Sequence, residues 1–401
     1  MKPSRFGPAF LVTAAFIGPG TVITASLAGA NFGFVLLWAL LFSIIATIIL
    51  QEMTARLGIV TQQGLGENIR RNLTNTLVKT IGIALVVSAI VIGNAAYQGG
   101  NISGASLGLS SIFPNLMEFN YWPILIGGFA FIILWKAHYQ LIEKVLIALV
   151  ALMSLAFIIT FIITQPNMVE FFSGLLIPQI PDGAGLTIIA LIGTTVVPYN
   201  LFLHSSSVHQ KWKSPSQIPQ ARKDLYFSVS LGGLISMAIL STAATAFFGK
   251  QVSIQSAADL APSLEPLFGY SAKLLMAIGL FAAGISSAVT APLAAAFALS
   301  GVLNFKKDIS SIEFKSIWII ILILGVLVST SGYKPVNIIW FAQVANGILL
   351  PLITIFLLWL MNTKHLGEHK NSVLQNIMGF AVLIITLLLS GRSLMSAFNL
   401  L

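Results

Sequence analysis

Uninterrupted apolar runs long enough to cross a hydrocarbon layer of roughly 30 Å recur along almost the whole 401-residue chain. No other feature narrows the fold as much. Inside such a layer every backbone amide and carbonyl has to be satisfied within the protein, so these runs are expected to be helices packed on helices. They fall at 8–31, 33–57, 76–106, 122–136, 140–164, 186–209, 225–248, 270–303, 316–330, 336–361 and 373–397, eleven spans in all. The fourth and ninth are short. The fold class is therefore all-α and polytopic. Charged residues make up 8% of the chain and hydrophobic residues 57%, whereas about a quarter of the residues of a soluble globule are charged. The connecting loops are short, so residues 1–401 are expected to form a single transmembrane domain.

The net charge of +9 does not point to nucleic acid, because the cations are scattered between apolar runs and form no basic face. They sort by side of the membrane instead. With a cytoplasmic N-terminus, all of the 21 lysines and arginines fall in cytoplasmic segments except Lys250, Lys273, Lys334 and Arg392. That asymmetry predicts an inner-membrane protein with its N-terminus inside and its C-terminus outside. The start "MKPSRFGPAFLVTAAF" has the basic and apolar parts of a signal peptide, but the apolar stretch continues past Gly18, so a retained first span is expected. The chain has no cysteine, which excludes disulfides, thiolate metal sites and redox motifs.

Two spans are interrupted. The first reads "AFIGPGTVITASLAGANFG", with Gly18, Pro19 and Gly20 in the middle of a charge-free helix. The sixth reads "ALIGTTVVPYNLFLHSS", broken around Thr194, Thr195 and Pro198. Glycine and proline remove helical hydrogen bonds, and unwound backbone at membrane depth survives only against protein or a water-filled cavity. Five helices separate equivalent points of spans one and six, so a second set of five enters from the opposite side. This is the arithmetic of an inverted repeat, about 8–164 against 186–361, with an extra helix at 373–397. The matched third and eighth spans are long and polar ("GNAAYQGGN", "GISSAVTAP"). Paired broken helices in opposed repeats point to a transporter's midplane site, although a packing kink is the alternative for either break alone.

The stretches "GPGTVITASLAGANFGFVLLWALLFS…LQEMTARLGIVT", "LIEKVLIALV", "VVPYNLFLHSSSV", "GLFAAGISSAVTAPLAAAFALSGVL" and "AQVANGILLPLITI" resemble the Nramp (natural resistance-associated macrophage protein) family of divalent-metal transporters over nearly the whole chain. The resemblance implies a LeuT-like fold of the APC superfamily, a 5+5 inverted repeat plus an eleventh helix, and alternating access. It also implies metal binding through the Asp and Asn of a DPGN motif in span one, the Met of an MPHN motif in span six, and a carbonyl three residues before that Met. Here DPGN reads "GPGT" and MPHN reads "VPYN". Gly18 and Thr21 replace the first pair, Val197 the methionine and Tyr199 the histidine. Thr194 holds the carbonyl position and Asn200 is retained. The family's acidic proton-pathway positions in span three read Ala95 and Gln98. The departures describe a divergent branch whose metal ligands are unknown.

All twelve acidic residues are read as lying in loops or near helix ends, Glu52 being the deepest. No carboxylate is therefore expected at the midplane, where an ionisable group usually marks an ion path. What remains is neutral: Gly18, Gly20, Thr21, Thr194, Val197, Tyr199, Asn200, Gln343 and Asn346 as candidate substrate-binding residues. Asn94, Tyr97, Gln98, Asn101 and His204 are the candidates for a pathway or gate. Interhelical bonding is the plain alternative for each polar one. His204 could titrate near neutral pH or serve structurally. His365 and His369 read as solvated, and "RKD" at 222–224 and "FKKD" at 305–308 as interfacial anchors. Such a lining suits a partly hydrated divalent ion or a small zwitterionic or neutral organic solute; a non-transporting membrane sensor is the third reading. No P-loop or triad spacing occurs, so neither an enzyme nor a cofactor is expected, and the chain is expected to act as a monomer.

Overall fold

The computed structural model describes residues 17–113, 120–136, 140–250, 254–305 and 308–397. Every regular element among them is helical. The spans are α1 (Pro19–Phe32), α2 (Leu37–Thr61), α4 (Thr76–Ile112), α5 (Trp122–Lys136), α6 (Gln140–Thr164), the pair α8 (Gly185–Thr195) and α9 (Pro198–Lys211), α10 (Ile218–Phe247), α11 (Ala272–Leu303), α12 (Ile312–Ser329), α13 (Pro335–Met361) and α14 (Val373–Ala397). Two short helices, α3 (Leu65–Asn72) and α7 (Met168–Leu176), and a single helical turn at Glu265–Phe268 lie in connections. Nine of the described helical stretches are long and apolar enough to cross a membrane, with α8 and α9 counted together, and α5 is a shorter apolar helix. The chain is a multi-pass membrane protein.

Residues 8–16 of the first run lie outside the described residues, as do Lys2, Arg5, Glu118, Lys306 and Lys307. Several expected boundaries shift, each for a local reason. The second span starts at Leu37 and not at residue 33, because Gly33 takes φ +59° in the turn that follows α1. The third runs on past residue 106 to Ile112. The seventh starts at Ile218, a full two turns before 225, with proline in its first turn where no amide is needed. The ninth starts at Ile312 and not 316; the Ser311 hydroxyl accepts from the Phe314 amide at 3.2 Å and caps it.

Small residues set how closely the helices approach. A Cβ at Gly193 of α8 would strike the Gln343 carbonyl of α13, and one at Gly29 of α1 would strike the Leu240 carbonyl of α10. Backbones this near gain dispersion contacts that larger side chains would prevent. α4 is the central post, with α11, α12 and α13 packed along it, while α1 packs on α10, α8 and α13. The two broken spans and α4, α11 and α13 thus meet in the middle of the molecule. The outer face of α14 shows Leu374, Ile377, Ile384 and Leu388, as lipid contact requires.

One expectation about charge is corrected. Glu52 lies inside α2, only 8% exposed, and not at a helix end. It accepts from Arg56 Nη2 at 3.0 Å and from Arg222 Nη2 at 2.7 Å. Arg222 is therefore an ion-pair partner and more than an interfacial anchor. The carboxylate is tolerated at this depth because both guanidiniums neutralise it.

Candidate functional site

In span one, Gly18 is extended (φ −109°, ψ −173°) and α1 begins at Pro19. Proline suits a first helical position because its missing N–H would be orphaned there anyway. In span six α8 stops at Thr195, Val196 leaves helical geometry (ψ 74°), Val197 is extended (ψ 122°), and α9 restarts at Pro198. Proline has no N–H for the preceding turn and drives the residue before it out of helical geometry. The two breaks face each other. Thr21 Oγ1 and Thr194 Oγ1 lie 2.9 Å apart and share a hydrogen bond; both residues are buried.

Side chains of three further helices close around this pair. A Cβ on Gly18 would lie 3.0 Å from Ser287 Oγ of α11 and 3.6 Å from the Tyr97 hydroxyl of α4. Gly20 is covered by the amide of Gln343 from α13, whose Cδ would be 2.6 Å from a Cβ there. The rings of Tyr97 and Tyr199 pack with centroids 5.3 Å apart, tilted by 58°. Val197 is buried at the start of α9. Asn346 sits one turn beyond Gln343 on α13, its Oδ1 3.6 Å from where a Gly93 Cβ would be.

Gln98 behaves differently. Its Nε2 donates to the Ala288 carbonyl at 2.9 Å, and its stem covers Gly325 of α12. It is turned toward α11 and α12. Asn94 Nδ2 donates to the Ile90 carbonyl of its own helix at 2.8 Å. Asn101 lies one turn beyond Tyr97 on α4, and His204 one turn beyond Asn200 on α9; both are buried.

An unusual number of buried polar atoms here have no hydrogen-bond partner in the protein. They include both amide atoms of Asn200, both ring nitrogens of His204, Oδ1 of Asn94, Oε1 of Gln98 and of Gln343, and Nδ2 of Asn101 and of Asn346. Burying such a group unsatisfied costs about 1–3 kcal/mol, and folded proteins contain few of them. Their concentration on α4, α9 and α13 marks a polar interior with bonding capacity to spare.

The donor set is neutral. No group of three or more His, Cys, Asp or Glu side chains that could hold a metal ion occurs among the described residues. Charge at the breaks comes from backbone: α8 ends there, and the last carbonyls of a helix are the negative end of its dipole. Ser287 joins the site without being among the residues expected from sequence, although it belongs to the Ser-Ser interruption of the apolar eighth span. A hydroxyl in a span otherwise filled with alanine and valine was the available signal.

Solved transporters share this architecture. The manganese transporter of Eremococcus coleocola, solved in complex with an aromatic bis-isothiourea substituted compound, matches with a TM-score of 0.76 at 23% identity, covering 97% of this chain and 86% of that one. MhsT, solved in complex with L-phenylalanine, matches at 0.64 and 15% identity over 98% of both chains. Mhp1, a nucleobase-cation-symport-1 family transporter, matches at 0.55 and 15%, covering 98% of this chain and 93% of that one. The fold is therefore the LeuT-like one expected, and among the described residues its sixth span is discontinuous. Residues 9–396 match the family described as natural resistance-associated macrophage protein-like, whose members are transporters and not enzymes. The chain belongs to the Nramp family.

Proposed function

We propose that this protein is a secondary-active transporter that carries a divalent metal ion, still partly hydrated, by alternating access. The observation that carries the reading is the hydroxyl pair Thr21–Thr194 joining the two breaks, at the carbonyl end of α8. Oxygen dipoles and a negative helix end favour a cation. Without a carboxylate they cannot replace a full hydration shell, so the ion keeps water, as magnesium in particular tolerates. The manganese transported by the Eremococcus coleocola relative makes that ion the first probe. Residues 1–401 act as one domain with repeats near 8–164 and 186–361, and the functional unit is a monomer that binds no nucleic acid. Gly18, Gly20, Thr21, Thr194, Val197, Tyr199, Asn200, Gln343 and Asn346 line the site, with Ser287 added to them. Asn94, Tyr97, Gln98, Asn101 and His204 form the path beside it.

Uptake into proteoliposomes tests this directly, with manganese, magnesium, calcium and amino acids offered with and without a proton gradient. Metal uptake is expected, and Thr21→Val or Thr194→Val should slow it about tenfold or more, the loss of one hydrogen bond to a charged species. With Ala95 and Gln98 at the acidic pathway positions, metal uptake should proceed without tight stoichiometric proton co-transport. Uptake of amino acids and of no metal would overturn the proposal. Lumenal acidification in step with uptake, surviving in His204→Ala, would overturn its proton part.

The proposed orientation places the protein in the inner membrane with its N-terminus in the cytoplasm. A reporter fused after Leu401 should then be extracytoplasmic and one inserted at Lys213 cytoplasmic. Finding both on one side would refute the span count.

A further inference from the structure

A cleft of about 820 Å³ opens where α13 ends and α14 begins, remote from the two breaks. Its polar end is formed by Asn72 at the close of α3 and by Asn362, Lys364 and His365 in the α13–α14 loop. Its wall is apolar: Ile355, Trp359 and Phe380, which are 46%, 38% and 49% exposed. Nothing in the transport site requires this cleft.

We propose that the cleft binds an anionic glycerophospholipid, with its phosphodiester at Lys364 and an acyl chain along the Ile355–Phe380 wall. The two ends of the cleft call for opposite chemistry, and a lipid supplies both. A small polar solute would leave the wall uncovered. An apolar molecule would leave the lysine without a counter-charge. Lys364 sets the sign of the headgroup, because no carboxylate lines the cleft; Glu368 of the same loop lies outside it. A tryptophan beside a lysine is the pairing found at the membrane–water boundary, and basic pockets between spanning helices hold anionic headgroups. A volume of this size accommodates a headgroup and the first part of a chain.

Two lining residues, Asn362 and Asn376, connect the cleft to the interior by hydrogen bonds. Asn362 and Asn376 exchange side-chain hydrogen bonds of 2.9 and 2.8 Å. Asn371 donates to Asn376 at 2.9 Å, and Arg56 Nη2 donates to Asn371 Oδ1 at 2.8 Å. The same guanidinium holds Glu52. The lipid cleft and the buried ion network of α2 and α10 are thus ends of one hydrogen-bonded chain.

Native mass spectrometry of the purified full chain, titrated with phosphatidylglycerol and with phosphatidylcholine of the same acyl composition, tests the proposal. Phosphatidylglycerol should be retained several-fold more strongly. Lys364→Gln should weaken that retention about fivefold, the effect of one cation near a charged lipid. Lys370→Gln, in the same loop but outside the cleft, should leave it unchanged. Equal retention of the two lipids by the parent chain would overturn the proposal. So would a Lys370→Gln effect as large as that of Lys364→Gln, which would show charge attraction to the surface as a whole. Thermal unfolding of both variants without added lipid should match the parent, which separates lost binding from lost fold.

Discussion

Replacing Gly18 by Asp, Thr21 by Asn and Val197 by Met together is expected to create high-affinity manganese binding, about a hundredfold or more tighter than the weak binding of the parent chain and read by calorimetry. Two unit charges 4 Å apart at an effective dielectric of about 20 attract by about 4 kcal/mol, and a divalent ion doubles that. Desolvation of the ion and the carboxylate consumes a large part of the gain, which is why a hundredfold is expected and not a millionfold. The thioether should bias the site toward manganese, iron or cadmium over magnesium. The geometry adds one requirement. A Cβ at position 18 stands 3.0 Å from Ser287 Oγ, close enough that the hydroxyl has to turn aside, so Ser287→Ala in the same background should raise the affinity further. The prediction fails if the unmodified protein binds manganese at micromolar concentration and loses it in Thr21→Val or Thr194→Val. Neutral dipoles would then suffice by themselves.

Glu52→Ala should destabilise the protein by about 3–5 kcal/mol, the cost of removing one partner from a buried ion pair. The side chain of Arg56 is 4% exposed, so its charge would stay buried, with only the His369 carbonyl at 2.7 Å and Asn371 to hold it. Arg222, whose side chain is 39% exposed, can turn to water and contributes less. Glu52→Leu with Arg56→Leu removes both charges and should recover most of the loss, since a well-packed apolar pair replaces a buried ionic one at little cost. Thermal unfolding in detergent reads both. An unchanged midpoint in Glu52→Ala would show that water already reaches this network.

The spans were legible because the bilayer imposes a length and a composition that no loop imitates. The breaks were legible because Pro19 and Pro198 sit in runs that otherwise have every reason to stay helical; the sixth span restarts at Pro198 itself. What stayed hidden is what depends on partners distant in sequence. Glu52 and Arg222 lie 170 residues apart, and composition shows two charges without showing a pair. The grouping of Asn94, Tyr97, Gln98 and Asn101 in one polar stretch of span three did not reveal which way each faces. Tyr97 reaches the break at Gly18, while Gln98, its neighbour in sequence, turns to α11 and α12 as helical geometry dictates. The short helices α3 and α7 escaped because their order comes from outside their own apolar pattern. The Leu65 amide donates to Ser205 Oγ at 2.8 Å, and Asn167 caps α7 by accepting from the Val169 amide at 3.0 Å.

The hydroxyl bridge between Thr21 and Thr194 has a kinetic side. Under the function proposed above, the two breaks hold each other through this bond while the carrier is empty, and a cargo ion that engages the oxygens has to reorganise it. The bridge gives the Thr194 hydroxyl a partner in the buried interior, where an unsatisfied one would cost about 1–3 kcal/mol. The unloaded protein can reset between faces of the membrane without an ion to hold its halves together. On the same proposal, loading has to rearrange a contact already in place. Such a carrier gives up tightness of grip and gains speed of return.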